Sequence, residues 1–329
     1  MTGDVFIMNK YIGNTLQLYG VEETRLCGGR GDGMRILRVR NNCGLAFEIS
    51  LDRCGDISRL SLRGDNFGLF AGCGYVAPSY YDGVGLGFLK SFTAGFITTC
   101  GLTAVGSPCT DEGVDLPLHG TVSHIPCESF SYSVDEKNIT IKVTVRDAAL
   151  FSHHLVLERE YVCAIDENVL HMTDTVKNLG SKETPLQILY HCNMGYPLLS
   201  ENAIVTIPSS EVKPRNAHAA VDLEDCLRME RPQAGYEEKC YYHTLSGKAT
   251  VSIFNPDINK GLNLSYDTAE LPFFTEWKMM GEHDYALGLE PGNACPEGRD
   301  WMRKNGLLEF LKPGAEKVAH MTFEFVEKK

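Results

Sequence analysis

The fold class follows from residues 34–51, which read MRILRVRNNCGLAFEISL. In each half of this stretch apolar and polar residues largely alternate, as in a β-strand with one face in the protein core. The two halves are separated by Asn41-Asn42-Cys43-Gly44, a run of residues that favour turns. The stretch therefore predicts an antiparallel β-hairpin.

Short runs of the same kind continue along the chain, rich in β-branched and aromatic residues and separated by turn residues. They lie at 130–134, 139–145, 156–162, 169–176, 249–255, 261–266 and 317–325. A helical repeat of apolar residues is scarce and predicts one helix, around residues 222–231. We therefore predict an all-β protein, a large antiparallel sandwich with few short helices. No linker, charge block or fixed-period repeat divides the chain, so we expect a single domain over residues 1–329.

The composition is that of an ordinary globular protein, with 43% of the 329 residues hydrophobic and 22% charged. The net charge of −12 disfavours nucleic acids and anionic membrane surfaces as partners, because both would repel the protein at long range. The N-terminus shows no secretory signal, and no apolar run approaches the ~20 residues that a membrane span needs. We therefore expect a cytoplasmic protein that binds neither nucleic acid nor membranes.

The twelve cysteines are scattered along the chain and include no Cys-x-x-Cys pair. This pair is typical of structural zinc sites and of thioredoxin-like redox sites, so neither is predicted. We expect reduced and mostly buried thiols. His119 and His124 are five positions apart, which is not a usual spacing for metal ligands, so we also expect no bound metal.

Three segments place a proton-transfer residue beside turn residues at the end of an apolar run. They are 116–121 (LPLHGT), 189–197 (LYHCNMGYP) and 288–293 (GLEPGN). In a β-rich scaffold such positions present reactive side chains to a cleft. The residues concerned are His119, His191 and Glu290. Histidine exchanges protons near neutral pH, and a partly desolvated carboxylate can accept a hydroxyl proton, so this set predicts acid–base chemistry on a neutral polar substrate.

The order of these segments along the chain resembles that of the galactose mutarotase-like superfamily. The segments that carry the resemblance are 53–57 (RCGDI), 98–102 (TTCGL), 118–120 (LHG), 190–197 (YHCNMGYP) and 289–292 (LEPG). Within the superfamily, the chain is most similar to the aldose 1-epimerase-related branch that is largely known as a domain of unknown function. The resemblance runs from Tyr11 to the last predicted strand. It implies a large β-supersandwich with a carbohydrate cleft across one sheet.

The resemblance also implies an isomerase activity, the interconversion of sugar anomers. In aldose 1-epimerases a glutamate removes the proton of the anomeric hydroxyl while a histidine protonates the ring oxygen. The ring then opens and recloses after rotation. By their places in the motifs, Glu290 would be the base, His191 the acid, and His119 a second histidine near the reacting atoms. The reaction needs no cofactor, and its partner would be a small-molecule carbohydrate.

The resemblance also implies an arginine that binds sugar hydroxyls, which by its place in the motifs would be Arg53. Other cations in the chain are alternatives for this contact: Arg59, Arg63 and Lys90. The competing interpretation of Arg53 is a structural ion pair with Asp52 or Asp56.

Further sugar contacts are expected beside the motifs. Trp277 offers an aromatic face for stacking on a pyranose, although a buried core tryptophan is the alternative. Its neighbour Lys278 is a second candidate for the cleft. Asn193 and Asn293, which follow the two proton-transfer residues in their segments, complete the predicted contacts.

Two functions other than an epimerase stay open. The chain could be a carbohydrate-binding or regulatory protein that kept the cleft and lost turnover, or a lyase or hydrolase acting on a modified sugar in the same cleft, since one fold hosts several chemistries. The presence of both His191 and Glu290 favours an enzyme. Because antiparallel sandwiches expose edges that can pair, a homodimer is also compatible with the sequence.

Overall fold

The computed structural model describes residues 10–328, in which strands predominate. In chain order the strands are β1 (Gly20–Arg25), β2 (Arg35–Arg40), β3 (Leu45–Ser50), β4 (Asp56–Leu62), β5 (Asp65–Asn66), β6 (Leu69–Phe70), β7 (Ala94–Gly95), β8 (Ile97–Leu102), β9 (Cys109–Asp111), β10 (Val114–Leu116), β11 (Ser129–Val134), β12 (Asn138–Ala148), β13 (His154–Ala164), β14 (Val169–Asn178), β15 (Thr184–Met194), β16 (Ile204–Thr206), β17 (Glu211–Pro214), β18 (Lys239–Thr244), β19 (Lys248–Asn255), β20 (Lys260–Asp267), β21 (Phe273–Met280), β22 (Tyr285–Gly292), β23 (Glu309–Leu311) and β24 (Glu316–Glu327).

The helices in this part of the chain are short. The α-helices are α1 (Ala217–Ala220) and α2 (Arg299–Lys304). The 3-10 helices are Thr15–Gln17, Gly29–Gly31, Pro78–Tyr80, Gly87–Ser91, Val122–His124 and Leu223–Asp225. None of the helices in residues 10–328 has the length and apolar character needed to cross a membrane.

Two large antiparallel sheets and one smaller sheet form the body of the fold. The eight-stranded sheet has the order β11-β12-β13-β14-β24-β20-β19-β16. The seven-stranded sheet has the order β17-β18-β21-β22-β15-β23, with β8 also paired to β15. The five-stranded sheet follows chain order, β1-β2-β3-β4-β5. The predicted all-β class, an antiparallel sandwich with few short helices, is confirmed.

The three sheets share one hydrophobic core. Val143 and Phe323 from the eight-stranded sheet, Leu289 from the seven-stranded sheet and Leu37 from the five-stranded sheet belong to one cluster of buried residues. Successive side chains of a strand point to opposite faces, so the neighbours of these core residues point away from the core. On the seven-stranded sheet, that outer face carries the cavity described below.

A buried ionic network links the sheets under this face. Arg159 on β13 pairs with Asp174 on β14 (2.7 Å) and with Asp56 on β4 (2.6 Å). The hydroxyl of Tyr190 on β15 donates to Asp174 (2.9 Å). Buried charges are tolerated when they are paired and hydrogen-bonded, as all of these are. The network holds β15 in place one residue before His191.

The sequence located strands of the five- and eight-stranded sheets, missed those of the seven-stranded sheet and misplaced the helix. The hairpin predicted from residues 34–51 is present as β2 paired with β3, with Ile36 opposite Ser50. The predicted helix at 222–231 is wrong, since only the 3-10 helix Leu223–Asp225 forms there. Lys278 Nζ donates to the Arg228 carbonyl (2.6 Å) and the Tyr285 hydroxyl to the Glu230 carbonyl (2.5 Å). Both carbonyls belong to the last turn of the predicted helix, where carbonyl groups have no partner within a helix and are satisfied here by tertiary bonds. The Asp225 carbonyl, which an α-helix would pair with the Met229 amide, instead accepts from the Arg228 amide (2.9 Å). Pro232 follows and disfavours helical backbone at Arg231.

Candidate active site

A cavity of about 640 Å³ lies on the outer face of the seven-stranded sheet. Its floor is built from alternate residues of adjacent strands: His191 on β15, Glu290 on β22 and Thr275 on β21. Strand register brings them together, because Thr275 lies directly opposite Glu290. The 3-10 helix Gly87–Ser91 and the loop that carries His119 form the walls. The structure therefore brings His119, His191 and Glu290 together at one cavity.

His191 and Glu290 are the closest pair of ionisable groups in the floor. His191 Nδ1 lies 3.2 Å from Glu290 Oε1, and both side chains are buried. The angles at this contact do not meet those of a hydrogen bond, so both atoms are left without a protein partner. Two polar atoms that lie this close and are not bonded to each other are available to a ligand.

Burial pushes the pKa values of the pair in opposite directions. The pKa of Glu290 is raised well above its usual value, mainly by desolvation and further by the charge of Glu238. The pKa of His191 is lowered well below its usual value, mainly by desolvation and further by His119. Both changes favour the uncharged form of each group. Perturbed acid–base pairs of this kind in a cavity are typical of catalytic sites.

His119 reaches the cavity from a strained loop. Its backbone has φ of 57°, in the left-handed region that few residues other than glycine adopt. The conformation is held on both sides, since the His119 amide donates to the Gly106 carbonyl (2.8 Å) and its carbonyl accepts from the Gly101 amide (3.0 Å). Burial, and secondarily the charge of Arg215, lowers the pKa of His119 to about 4. A neutral imidazole is therefore held against the floor, with Nδ1 buried and unpartnered.

Aromatic rings enclose the two histidines. The His191 ring lies 5.6 Å from that of His119, 5.2 Å from Phe92 and 5.2 Å from Trp277. Phe88 packs 5.3 Å from His119. Trp277 is held in place by a hydrogen bond from its Nε1 to Glu238 (2.7 Å). Aromatic walls exclude water and offer flat apolar surfaces, a common lining of small-molecule sites.

Two residues of the cavity were not found from the sequence. Arg215 lies at the cavity wall, where its Nη2 donates to Ser107 Oγ (2.9 Å) and its Nε is 3.4 Å from Glu297. It follows β17 in an irregular segment, and no motif marks it. Thr275 is buried with Oγ1 unpartnered. Strand alternation could have found it, because it lies two residues before Trp277 and therefore on the same face.

Comparisons with known proteins identify the family of the chain. A family model described as Domain of unknown function (DUF4432) matches residues 31–325. The chain belongs to this family. A search of curated proteins found no match to this chain.

Solved structures show the fold of this DUF4432 chain in other proteins. A candidate aldose 1-epimerase from Klebsiella pneumoniae has a TM-score of 0.89 and 24% identity, with 94% of this chain and 84% of that chain covered. A galactose mutarotase-like protein from Clostridium acetobutylicum has a TM-score of 0.70 and 15% identity over 95% and 100% of the two chains. A candidate aldose 1-epimerase from Escherichia coli K12 has a TM-score of 0.60 and 14% identity, with 90% of this chain and 100% of that chain covered. The predicted resemblance to galactose mutarotase-like folds is confirmed.

Arg53 does not reach the cavity, which corrects the predicted sugar contact. Its side chain is buried and donates to the carbonyls of Ser123 (2.7 Å), Ser91 (3.0 Å) and Val76 (3.1 Å). Its Nη2 also lies 3.0 Å from His124 Nε2. Arg53 thus ties together the loops behind the wall helix Gly87–Ser91. The predicted ion pair is also absent from the described contacts of Arg53, since Asp52 pairs with Arg35 and Asp56 with Arg159.

Lys278 points away from the cavity that Trp277 lines. Its Nζ donates to the Arg228 carbonyl (2.6 Å) and to Glu230 (3.0 Å), and its side chain is fully buried. The reason is strand geometry, because adjacent residues of β21 face opposite sides of the sheet. The prediction that both residues line one cleft is therefore wrong for Lys278.

Both predicted asparagines are bonded to the backbone rather than open to the cavity. Asn193 Nδ2 donates to the carbonyls of His191 (2.8 Å) and Gly95 (3.2 Å). Asn293 Oδ1 accepts from the Ile188 amide (2.6 Å), and its Nδ2 donates to the Leu186 carbonyl (3.1 Å). Neither lies in the cavity lining. Both hold the strands that carry His191 and Glu290.

The alternatives for a binding cation are also elsewhere. Arg59 lies over the Phe70 ring (4.1 Å), Arg63 pairs with Glu327 (3.0 Å) and Lys90 pairs with Asp82 (2.6 Å). None of the three lines the cavity.

Within residues 10–328, no group of three or more histidine, cysteine or acidic side chains is placed to hold a metal ion.

Proposed function

We propose that the chain is an aldose 1-epimerase-type isomerase that interconverts sugar anomers in this cavity. One observation supports it most: four buried polar atoms of the cavity residues have no protein partner. They are His119 Nδ1, His191 Nδ1, Thr275 Oγ1 and Glu290 Oε1. Buried polar atoms are nearly always hydrogen-bonded, so four such atoms at one cavity are best satisfied by a ligand with several hydroxyl groups. The mutarotase-like fold adds support.

The chemistry proposed for the pair needs one shared proton. With the proton on His191, Glu290 takes the proton of the anomeric hydroxyl while His191 protonates the ring oxygen, and the ring opens. Because burial raises the pKa of Glu290 and lowers that of His191, the proton can also lie on Glu290 before the sugar binds. The 3.2 Å between Nδ1 and Oε1 lets it pass between the two with little movement. Reclosure after rotation of C1 reverses both transfers and leaves the other anomer.

The test is anomer interconversion followed by proton NMR on freshly dissolved α-anomers of a panel of aldoses. Wild type is compared with Glu290→Gln and His191→Asn, which keep size and polarity and remove the proton exchange. We expect each variant to lose about 10²–10⁴-fold in rate above the spontaneous reaction, the usual contribution of a general acid or base. His171→Asn is the matched control, because His171 is exposed on β14 of the other large sheet.

The outcomes separate the alternatives. Wild-type rates in both cavity variants would overturn the assigned roles. A wild type that perturbs sugar chemical shifts but accelerates no interconversion would make the chain a carbohydrate-binding protein, or an enzyme with a different reaction in the same cavity.

A further inference from the structure

We infer that the natural substrate is a neutral reducing oligosaccharide of at least two rings, bound with its reducing end on the floor of the cavity. This inference rests on the proposed function and adds the size, charge and orientation of the sugar. Three features of the cavity carry it: its volume, the gradient from floor to mouth, and the charges of its lining.

The cavity is too large for one hexose. Clefts that bury a drug-sized ligand measure about 300–1,000 Å³. The cavity measures about 640 Å³, in the middle of this range. A hexose has twelve non-hydrogen atoms and a disaccharide has twenty-three, so only the disaccharide approaches the size of such a ligand. A single ring therefore leaves much of the cavity to water, whereas a sugar of two or more rings can fill it.

The cavity has a buried floor and an exposed mouth. The floor residues His191, Thr275 and Glu290 are at most 4% exposed. At the mouth, Leu86 and Leu89 are 61% and 54% exposed. Proton exchange at an anomeric centre takes place on the floor in the proposed reaction, so the rest of a longer sugar has to extend toward the mouth. The reducing end therefore enters first.

Strand β21 provides a track from the floor to the mouth. Thr275, Trp277 and Met279 alternate along it on the cavity side. Four residues of a strand cover about 13 Å, which is longer than one six-membered ring. Trp277 presents a flat surface on which a second ring can stack. Beyond it, at the turn after β21, the exposed carboxylate of Asp284 can accept hydrogen bonds from sugar hydroxyls.

The charges of the lining disfavour a phosphorylated sugar. Among the described lining residues Arg215 is the one arginine or lysine, and its guanidinium is already engaged by Glu297 and Ser107. The mouth carries the carboxylates of Glu238 and Asp284. Tight phosphate binding needs a free cation, usually a forked arginine contact, and nearby carboxylates oppose it. A neutral sugar meets neither difficulty.

The experiment compares kcat/KM for anomer interconversion of glucose, glucose 6-phosphate and a panel of reducing disaccharides with different linkages. We expect at least one disaccharide to exceed glucose by about tenfold or more, because contacts to the second ring are used at the reacting one. Glucose 6-phosphate should fall below glucose. Met279→Ala and Asp284→Asn should lower kcat/KM for that disaccharide by about fivefold more than for glucose.

Each failure has a distinct meaning. If glucose equals or exceeds every disaccharide, or if both variants act equally on one-ring and two-ring sugars, the size inference is overturned while the epimerase proposal stands. If glucose 6-phosphate is the best substrate, the charge inference is overturned. If no sugar is accelerated at all, the proposed function itself fails. Unfolding midpoints of Met279→Ala and Asp284→Asn equal to wild type exclude a folding defect as the cause of their effects.

Discussion

Gly288 leaves the space in which the Glu290 carboxylate lies. Both residues are on the cavity side of β22, and a Cβ at position 288 would clash with Glu290 Oε1 and lie 2.9 Å from Trp277 Cβ. Gly288→Ala should therefore displace the carboxylate from His191. We expect about a 100-fold loss of kcat/KM for anomer interconversion, since displacements near 1 Å have such effects in active sites.

The control for this variant is Gly13→Ala. A Cβ at position 13 meets nothing within 4 Å, so this exposed glycine can be changed without a clash. It should retain wild-type kinetics. If Gly288→Ala also kept wild-type kinetics, the position of the Glu290 carboxylate would not matter to turnover, and its role as base would be contradicted.

The Thr275 hydroxyl should affect sugar binding and stability in opposite directions. Its oxygen is buried without a protein partner, so Thr275→Val keeps the shape and removes an unsatisfied polar group. We expect KM to rise about threefold to tenfold, the value of one hydrogen bond, while the unfolding midpoint stays equal or rises. Steady-state kinetics and thermal unfolding measure the two effects. Thr250→Val is the control, because Thr250 is an exposed strand threonine on β19. A fall in stability without a change in KM would show that the hydroxyl stabilises the fold and does not bind sugar.

The three predicted proton-transfer residues that line the cavity share a local signal. His119, His191 and Glu290 each stand where an apolar run meets turn residues in the sequence, and such positions often border a cleft. Arg215 has no such signal. Its place depends on how the segment after β17 packs on Ser107 and Glu297, which are distant in sequence. Contacts of that kind are set by tertiary packing and cannot be obtained from local patterns.

At the scale of the element, strand alternation decides which neighbours can act together. Trp277 lines the cavity, so Lys278 has to face the other side of β21, where it holds the segment that follows α1. The same rule predicts Thr275 and Met279 as cavity residues. Alternation was enough to predict strands of the five- and eight-stranded sheets but not β21 itself. It also shows that two consecutive residues of one strand cannot both contact the same sugar.

Lys278→Met should destabilise the fold rather than weaken sugar binding. The change removes the buried ammonium that binds the Arg228 carbonyl and Glu230. We expect the free energy of unfolding to fall by about 3 kcal/mol, because a buried carbonyl and a partly buried carboxylate lose their partner. Urea unfolding measures it, and Lys248→Met, at an exposed position on β19, is the control. If the variant had wild-type stability and a raised KM for sugar, the prediction would be contradicted and Lys278 would be a sugar-binding residue.

At the scale of the whole molecule, the sequence predicted the class of fold but not what joins the sheets. Period-two runs mark the strands that have one buried and one exposed face, whereas β15 and β22 are buried almost throughout and lack this signal. The pairing of distant strands, such as β14 with β24, depends on a core assembled from the entire chain. Arg53 shows the same limit, since its partners Val76, Ser91 and Ser123 are brought to it only when the loops pack. The sequence motif of Arg53 was recognisable, but the loop carbonyls that it binds could not be predicted from the sequence.

The packing around Arg53 makes stability depend on pH. Arginine only donates, so His124 Nε2 accepts from Arg53 (3.0 Å), and its Nδ1–H faces Ser123 Oγ (3.0 Å). The ring is also stacked on Tyr81 at 3.9 Å. Burial, and then the Arg53 charge, lowers the pKa of His124 to about 2. The folded state therefore keeps this histidine neutral, while the unfolded chain protonates it near its usual pKa of about 6.5.

The stability that His124 contributes is thus present above pH 6.5 and is lost as the pH falls from 6.5 toward 2. Each pH unit in that window costs about 1.4 kcal/mol, so between pH 7.5 and pH 5 the loss is about 2 kcal/mol. His124→Gln, whose Oε1 can accept from Arg53, should lack this loss. Urea unfolding at the two pH values measures the difference between wild type and variant. His171→Asn, at an exposed histidine, should behave as wild type does. Equal pH dependence of wild type and His124→Gln would show that His124 is protonated in the folded protein, and the neutral contact with Arg53 would then be excluded.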